Sequence, residues 1–592
     1  MKLHVRSRHR TLVTAGVASA VLAMLALSPA AGASATPSTA TGVPHTVDWR
    51  YYGNDLANTR FQNVDQINPS NVTSLQPAWV FHTGVVDPKA SFEASPIVVN
   101  GTMYVSTGHD DVFALNAATG AQEWAYHPEA QMPPLGTLPL CCGEDSRAVA
   151  YGDGKVFLAR LDAVLVALNA QTGQVAWQAT VANPQAGQSM TMAPQFANGE
   201  VIVGLSGGEL EARGAAVAFD AASGHRLWTF NTTQPGPTWQ GDSWQTGGGA
   251  IWGNPTVDPD ADRHGLVYVG TGNAAPDFFG GSRAGQNLYT ASLVALDLRT
   301  GSLEWAFQEV HHDLWDYDGS KPPVLFNATL GGQTTEAVGH CMKDGNVFVL
   351  NRITGQPLFP VTEVPVPTQP AFQNAWPTQP MSSVQPLTPM TVGTIAPGIT
   401  TAPEFTPPQP QPLAVEPGNS GGCEWPPGAY SPRTGDLYYM SRYIPAIIQS
   451  FPNNTCPPPG QLCLGSKFTF PLPGVDNHSI IGATSTTTGK VVWRTDLSNV
   501  TMTSMAVGGD LLFYGEDSGV FHAVSAATGT PLWSFNGLTV PGAGGADAPP
   551  SIYVVNGREY VVEAFGGNAV DRLHFKDSPT GDALIAFALP NK

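Results

Sequence analysis

The sequence predicts an all-β fold, an eight-bladed β-propeller with Trp-docking repeats, and three observations support this prediction. The chain of 592 residues contains 64 glycines and 52 prolines, and only 12% of its residues are charged. This turn-rich, weakly charged composition favours many short strands over coiled coils, helical solenoids or charge-driven disorder. A short segment ending in tryptophan recurs along the chain, and each copy has the pattern of two strands joined by a tight turn.

The repeat is clearest in five copies, each with a Thr-Gly or Ser-Gly turn followed by a strand that carries a tryptophan. These copies end at Trp124, Trp177, Trp228, Trp305 and Trp533, and degenerate copies end at Phe359 and Trp493. The segment PAWVF at Trp79 has the form of a final strand whose partners lie elsewhere in the chain. Further strand pairs precede many copies, so we count eight units of about four antiparallel strands each.

Each repeated tryptophan is interpreted as a packing residue between units rather than as a group that stacks on a cofactor. The glycine of the turn supplies the positive φ angle that a tight turn of this kind requires. A solenoid or a row of β-sandwiches is the structural alternative. Neither explains why a tryptophan recurs at one position of each unit.

The first 35 residues are predicted to be an export signal. Four basic residues precede an uncharged run that begins at Thr11, and Ala33-Ser34-Ala35 has the spacing of a signal peptidase site. An uncleaved membrane anchor is the alternative. Cleavage would leave residues 36–592 as a single propeller that is secreted or otherwise extracytoplasmic.

A segment rich in Pro, Thr and Gln at about 360–416 interrupts the repeats. It is predicted to be an insertion that crosses one face of the propeller, with a disordered insertion as the alternative. Loops of this kind shape the entrance to a propeller site, so the sequence does not specify the substrate.

Charge and cysteine usage exclude several classes of function. The chain has 27 basic and 46 acidic residues, so nucleic-acid binding has no electrostatic support. Six cysteines in an exported chain indicate disulfides. None lies in a C-x-x-C-H motif, so no haem in this chain is covalently attached and any electron acceptor is a separate partner.

The pairing of the cysteines is open at this stage. Cys456 and Cys463 lie in one short loop and could pair locally, which would leave Cys341 and Cys423 as a long-range pair. The adjacent residues Cys141-Cys142 form either a strained vicinal disulfide or two free thiols.

Polar residues outside the repeat consensus form a second pattern. Glu209 in LSGGELEARGAA, Asn273 in VGTGNAAPDFFG, and Asp316 with Asp318 in HHDLWDYDG follow strands of consecutive units. At the end of a strand, the alternation of side chains would send Asp316 and Asp318 to the same side. Oxygen donors from separate strand ends that converge at a propeller axis would form a site for a hard cation. Each of these residues taken alone is more typical of a turn or a cap.

Longer motifs accompany these residues: CCGEDSR, TMAPQFANGEVIVGLSGGELEARG, GGGAIWG, GTGNAAPD, and the opening DWRYYGNDLANTRFQNVDQINPSNV. Together they closely resemble the quinoprotein alcohol dehydrogenases, which are eight-bladed propellers that carry pyrroloquinoline quinone (PQQ) and a metal ion. The likeness covers most of the mature chain, is strongest from about 141 to 318, and is poor from 360 to 480. It implies a dehydrogenase that oxidises an alcohol, aldehyde or polyol by hydride transfer to PQQ.

The resemblance implies a set of residues that contact PQQ. Cys141 and Cys142 would form a disulfide that covers one face of the quinone, and Trp252 would lie against the other face. Further cofactor contacts are implied for Glu93, Arg147, Thr191, Ser206, Gly207, Gly208, Lys343 and Trp425. Glu424 stands where the family typically has Asn, and an additional carboxylate there is expected to alter cofactor binding or redox poise.

The resemblance also implies the metal ligands. Glu209 and Asn273 match ligands, and Asp316 matches the residue regarded as the catalytic base and a neighbour of the metal. Asp318 stands where family members that use a lanthanide have Asp and those that use calcium commonly have a small residue. We therefore expect one metal ion, with a lanthanide favoured and calcium as the alternative; for Asp318 itself, the alternative is a turn acceptor before Gly319.

A different class of function competes with this one. A catalytically inactive propeller that acts as a protein-binding scaffold in the cell envelope would also keep the tryptophan repeat. Such a scaffold has no reason to keep Glu209, Asn273, Asp316 and the Cys141-Cys142 pair together. A glycan-binding or hydrolytic propeller is a third reading, which the set of oxygen donors beside Trp252 disfavours. We therefore predict a PQQ-dependent oxidoreductase with a small-molecule substrate and a separate electron acceptor.

Overall fold

The strands pair mainly with their neighbours in sequence. The structure is a computed structural model that describes residues 45–260, 265–393, 395 and 398–591. Ten sheets account for the strands of these residues, and the predicted all-β propeller is confirmed. The predicted export signal at 1–35 lies outside the described residues.

Eight sheets each contain one copy of the repeat, and we name each sheet by its repeat aromatic. The Trp79 sheet comprises Thr46–Val47, Gln76–His82, Ser551–Val555, Arg558–Phe565 and Ala583–Ala588; the Trp124 sheet Ile97–Val99, Thr102–Ser106, Val112–Asn116 and Gln122–Tyr126; the Trp177 sheet Ala150–Gly152, Lys155–Ala159, Val164–Asn169 and Val175–Thr180; and the Trp228 sheet Gln195–Ala197, Glu200–Gly204, Ala215–Asp220 and Arg226–Asn231. The Trp305 sheet comprises Thr256–Val257, Leu266–Gly270, Ser292–Asp297 and Leu303–Gln308; the Phe359 sheet Val324–Leu330, Gln333–Cys341 and Val347–Asn351; the Trp493 sheet Ala429–Ser431, Asp436–Tyr443, His478–Ser485 and Val491–Asp496; and the Trp533 sheet Phe61–Gln62, Met505–Gly508, Leu511–Gly515, Val520–Ser525 and Pro531–Asn536. The number of propeller blades stays a prediction.

The remaining elements are short. Two further sheets comprise Val361–Pro365 with Thr378–Ser382, and Thr400–Thr401, Leu413–Val415, Ala446–Gln449 and Lys467–Thr469. Single-turn 3₁₀ helices span Val72–Ser74, Glu129–Gln131, Leu135–Thr137, Pro184–Ala186, Gly208–Leu210, Ser243–Thr246, Ala371–Gln373 and Gly537–Thr539, and an α-helix spans Ala569–His574. Among the described residues no helix has the length and apolar character needed to cross a membrane.

The Trp79 sheet joins the two ends of the described chain. Gln76–His82 pairs antiparallel with Ala583–Ala588, and this register sets Gln76 opposite Ala588. Phe61–Gln62 pairs in parallel with Met505–Gly508 of the Trp533 sheet. An early strand that completes a late sheet removes the exposed edges that a linear row of sheets would leave.

The repeat tryptophans dock on the turn of the following repeat. Their indole N–H groups donate to backbone carbonyls of that turn, at Ala117 from Trp79, Ala170 from Trp124, Ala221 from Trp177, Leu298 from Trp228, Arg352 from Trp305 and Ala526 from Trp493. The indole face covers the turn glycine, as Trp124 covers Gly173, where φ is +68° and an added Cβ would lie 2.6 Å from Trp124 Cε3. The tryptophan of one repeat and the glycine turn of the next repeat thus form a contact between successive sheets.

The segment at about 360–416 packs on the loops of the Trp305 sheet. Gln373 is fully buried, and its side-chain amide donates to the carbonyls of Phe278 (3.2 Å) and Pro408 (2.7 Å). Trp315 donates its indole N–H to the Thr406 carbonyl at 2.9 Å. The described part of this segment therefore supports the loop in which Asp316 and Asp318 lie.

Replacing Gly173 with Ala should lower the free energy of unfolding more than replacing Gly154 with Ala. Both residues have positive φ, which costs an alanine about 1–2 kcal/mol, but a Cβ at Gly154 meets no atom within 4 Å. The clash of Gly173→Ala with Trp124 should add about 1–3 kcal/mol. Chemical denaturation of both variants measures the difference, and equal losses would contradict the docking contact.

Candidate functional site

The predicted metal ligands lie in loops that follow strands of neighbouring sheets. Glu209 belongs to the 3₁₀ turn Gly208–Leu210, which follows the strand Glu200–Gly204. Gly207 begins this turn with a φ of +106°, and a Cβ there would lie 1.8 Å from the Gly187 carbonyl oxygen, so only glycine fits. Asn273 follows the strand Leu266–Gly270 in the same way.

Asp316 and Asp318 converge on the ammonium group of Lys343. Lys343 Nζ lies 3.3 Å from Asp316 Oδ1 and 2.9 Å from Asp318 Oδ2. The second oxygen of Asp318 accepts the backbone N–H of Asn273 at 3.0 Å and faces the indole N–H of Trp252 at 3.5 Å. Three of the four predicted metal residues are therefore joined by direct hydrogen bonds or ion pairs through Lys343 and Asp318.

The loop around Asp316 and Asp318 differs from the expected strand end. Neither aspartate lies in a strand, and Asp316 has a φ of +62°. The carboxylate of Asp313 holds the loop, because it accepts the backbone N–H groups of Trp315 (2.9 Å) and Tyr317 (2.8 Å). The two acidic side chains still share one direction, as predicted, but a capped loop produces this arrangement rather than strand alternation. Sequence reasoning did not single out Asp313.

Burial shapes the charge of these groups. Burial raises the pKa of Asp316 well above its ordinary value, Lys343 lowers it, and the neighbouring Asp318 raises it further. Burial, followed by the charge of Asp318, also raises the pKa of Glu209. The site thus concentrates carboxylates whose ionised forms are disfavoured by burial and mutual repulsion, and Lys343 partly offsets both effects.

A second cluster surrounds Arg147. Its Nη2 lies 3.0 Å from Glu93 Oε2 and 2.6 Å from Asp145 Oδ2, and all three side chains are buried. Its Nη1 donates to Thr191 Oγ1 at 2.9 Å, and this hydroxyl lies 3.1 Å from Ser206 Oγ. The structure thereby joins four of the predicted cofactor residues, while Asp145 is an acidic partner that the sequence reading missed.

The guanidinium of Arg147 lies between two tryptophans. It is 5.1 Å from the ring of Trp252 and 4.6 Å from the ring of Trp425, and such contacts stabilise a buried guanidinium. Trp252 also faces Asp318. The Arg147 cluster and the Lys343 cluster therefore share one wall.

Glu424 lies on the Lys343 side of this wall. Its Oε1 is 3.7 Å from Lys343 Nζ, and its Oε2 accepts the backbone N–H of Trp425 at 3.2 Å. The side chain of Lys321 holds the same segment by donating to the carbonyls of Glu424 and Pro426, and burial lowers its pKa to about 7. Lys321 lies in none of the sequence motifs described above, so the sequence alone did not identify it.

Three disulfides use all six cysteines, each beside a predicted site segment. The adjacent residues Cys141-Cys142 are bridged, which decides between the two alternatives that the sequence left open. The bridge from Cys341 to Cys423 connects the segments that carry Lys343 and Glu424. How the vicinal bridge and Trp252 face a common ligand stays a prediction.

The third disulfide, Cys456–Cys463, closes a loop that docks on the Glu209 turn. The backbone N–H of Cys463 donates to the Glu209 carbonyl at 2.8 Å, and that of Gly460 donates to the Leu210 carbonyl at 2.9 Å. The loop therefore fixes the backbone from which the Glu209 side chain projects.

Comparison with known proteins agrees with this arrangement. Residues 49–462 match the family described as glucose/ethanol/alcohol dehydrogenase, beta-propeller domain. The chain belongs to the PQQ-dependent alcohol dehydrogenase family. Residues 477–582 also match the family described as outer membrane protein assembly factor BamB.

Two relatives and one solved structure illustrate the range of this dehydrogenase family. The quinohemoprotein alcohol dehydrogenase of Comamonas testosteroni is 31% identical, over 89% of this chain and 73% of the relative. The lanthanide-dependent methanol dehydrogenase of Methylorubrum extorquens is 31% identical, over 86% of each chain. A europium-containing methanol dehydrogenase has a similar structure, with a TM-score of 0.77 and 26% identity over 92% of this chain and 98% of that chain.

The donor sets fit the cofactors of this dehydrogenase family, PQQ and a metal ion. Glu209, Asn273, Asp316 and Asp318 offer oxygen atoms only, which suits a hard cation. Arg147 offers a buried guanidinium, which suits a carboxylate of PQQ.

Replacing Lys343 with Met should destabilise the metal-free protein by about 3–5 kcal/mol, because it leaves buried carboxylates without their cation. The loss should shrink at acidic pH, since protonated Asp316 no longer needs a countercharge. Thermal unfolding between pH 5 and pH 8 measures both effects. The exposed Lys490→Met variant is the matched control; a loss as small as the control's would contradict the assignment of Lys343 as the countercharge.

Proposed function

We propose that the protein is an extracytoplasmic quinoprotein dehydrogenase that oxidises an alcohol, aldehyde or polyol by hydride transfer to PQQ. The observation that carries the proposal is the convergence of Asp316, Asp318 and the Asn273 backbone around Lys343, beside the Arg147 cluster. When bound, PQQ supplies the two-electron acceptor and the metal ion supplies a Lewis acid.

The cofactor-binding roles follow from the chemistry of the residues. Arg147 and Thr191 would hold carboxylates of PQQ, with Glu93 and Ser206 fixing their positions through the contacts described above. Gly207 and Gly208 would allow close approach of the backbone. Trp252 would lie on one face of the ring system and the Cys141-Cys142 disulfide on the other, with Trp425 behind Arg147.

Asp316 would act as the general base. Burial raises the pKa of Asp316, and the charge of Lys343 opposes this effect in favour of the ionised carboxylate that a base requires. Its removal of the substrate hydroxyl proton lets the carbon-bound hydrogen leave with its electron pair. Lys343 would donate hydrogen bonds to the quinone oxygens, and Glu424 would share the positive charge of Lys343.

A lanthanide is the metal that the residues favour. Asp318 adds a third anionic donor to Glu209 and Asp316, and a trivalent ion gains more from it than a divalent one. The two methanol dehydrogenases named above carry a lanthanide in their descriptions, which supports this choice. Calcium remains the alternative.

A protein-binding scaffold is the competing function, and the match of residues 477–582 to an assembly-factor family is what favours it. That segment contains none of the predicted metal ligands. A scaffold also gives no reason for buried carboxylates around Lys343, so the dehydrogenase is the better account.

Partners and location complete the proposal. The electron acceptor would be a separate molecule, because the chain has no C-x-x-C-H haem motif. Three disulfides and the signal-like first 35 residues support a location outside the cytoplasm.

Purified protein reconstituted with PQQ and a metal should reduce an artificial dye with at least one alcohol of a broad panel. In this assay Asp316→Asn should lower turnover by about a hundredfold or more, because an amide cannot accept the substrate proton. PQQ absorbance should show that the cofactor still binds. The exposed Asp577→Asn is the control, and unchanged turnover in Asp316→Asn would move the role of base to another group, with Glu424 the first candidate.

Lanthanum or cerium should support activity better than calcium in the wild type, and Asp318→Ala should abolish the lanthanide-dependent activity. The physical reason is the loss of an anionic donor on which the trivalent ion depends. Dye reduction with each metal measures the effect. A wild type that is active only with calcium, and is unaffected by Asp318→Ala, would show that the lanthanide assignment is wrong.

A further inference from the structure

Asp277 is the last residue of the GTGNAAPD motif, and none of the roles described above includes its carboxylate. It lies four residues after Asn273, in the loop that follows the strand Leu266–Gly270, and is 1% exposed. The loop is fixed to the adjacent Trp228 sheet region, because Gly249 donates to the Asn273 carbonyl (2.8 Å) and Ala275 donates to the Gly247 carbonyl (3.0 Å). Asp277 therefore has a defined place at the site.

Within the described residues, no basic side chain forms an ion pair with the Asp277 carboxylate. Neither Oδ1 nor Oδ2 of Asp277 meets a hydrogen-bond partner there. The neighbouring Arg283 directs its donors instead to the Pro276 carbonyl (3.0 Å), to Asn287 Oδ1 (2.8 Å) and to the Asp313 carbonyl. A buried carboxylate without a partner is costly, so a fold that keeps one has a reason to do so.

The side chain lies beside the amide of Asn273 and close enough to the other predicted metal ligands for their charges to affect it. After burial, the charge of Glu209 has the largest effect in raising the pKa of Asp277, and Asp318 also raises it, whereas contact with the Asn273 amide lowers it. Asp277 in turn raises the pKa of Asp316. Asp277 thus interacts electrostatically with Glu209, Asp316, Asp318 and Asp313, and it contacts the Asn273 amide.

We propose that Asp277 supplies an additional carboxylate oxygen to the ion bound by Glu209, Asn273, Asp316 and Asp318. This inference rests on the proposed function, because it assumes that an ion occupies that site. Asp277 is then a specificity-determining residue for the metal: it increases the preference for a trivalent ion over a divalent one.

The charge balance explains the expected preference. Four carboxylates, Asp277, Glu209, Asp316 and Asp318, surround the proposed ion, while Lys343 contacts Asp316, Asp318 and also Glu424. One lysine leaves this group with a large excess of negative charge. A trivalent ion offsets more of that excess than calcium does, and oxygen donors in this number suit its large coordination sphere.

Direct binding of a cationic or polyhydroxy substrate is the other role for such a carboxylate. The position favours the metal, because Asp277 is buried and lies in the same loop as Asn273. A substrate role is therefore an outcome of the test rather than a second proposal.

The test uses europium luminescence on the purified protein, with and without PQQ. Lifetimes in H₂O and D₂O report how many water molecules the bound Eu³⁺ retains. Asp277→Asn should add about one bound water and weaken Eu³⁺ binding by about 10–100-fold, with a smaller effect on Ca²⁺. Asp318→Ala serves as the positive control and Asp577→Asn as the surface control.

Thermal unfolding of the metal-free protein provides a second measurement that a purely structural role would not produce. Asp277→Asn should leave the melting temperature unchanged or raise it, because it removes an unpaired buried acid, while the rise on adding Eu³⁺ should shrink. A variant that only damages the fold would melt earlier with and without the ion.

The outcomes separate this inference from the proposed function. If Eu³⁺ binds the wild type and is lost in Asp318→Ala, but Asp277→Asn matches the wild type in affinity and hydration, the role of Asp277 is wrong while the metal site stands. An unchanged ion affinity with an altered KM for polyols or amino alcohols would assign Asp277 to the substrate instead. A wild type that does not bind Eu³⁺ would overturn both proposals.

Discussion

The docking of one aromatic side chain onto the glycine turn of the next repeat is the contact on which the rest of the structure depends. Trp124 illustrates it: the indole covers Gly173 and its N–H donates to the Ala170 carbonyl at 2.9 Å. Because this local contact joins successive sheets at six places, other loops can carry polar residues instead of packing residues. Those loops hold the polar residues, including Asn273 and Asp318, and the rigid sheets bring them to one place.

Buried acidic groups are accommodated in two different ways in this fold. Asp316 and Asp318 lie beside the ammonium group of Lys343, among oxygen donors that suit a metal ion. Farther along the chain, Asp547 and Glu563 are fully buried, their carboxylate oxygens meet no hydrogen-bond partner within the described residues, and burial raises the pKa of Asp547 to about 8. Burial favours the protonated form of Asp316 as well, so the two groups differ in that Lys343 forms direct ion pairs with the first.

The sequence predicted the parts of the molecule that repeat or that resemble a known family. The tryptophan motif identified the sheets and their packing. The motifs that resemble the dehydrogenase family assigned Arg147, Trp252, Asp316 and Lys343 to one predicted site. Residues such as Asp313 and Asp277 escaped prediction because their roles depend on how an irregular loop is closed, which no periodicity records. The pairing of Asp316 with Asp318 was foreseen, but its cause was not, since it arises from a capped loop with a positive φ at Asp316.

The pairing of Gln76–His82 with Ala583–Ala588 also has a consequence for biosynthesis. The early strand is made first, yet its partner exists only when almost the entire chain has been synthesised. Successive sheets can form as their residues appear, but Gln76–His82 stays unpaired until its late partner has been made. Any chaperone that attends this protein during its production therefore has a defined client segment in the early strand Gln76–His82.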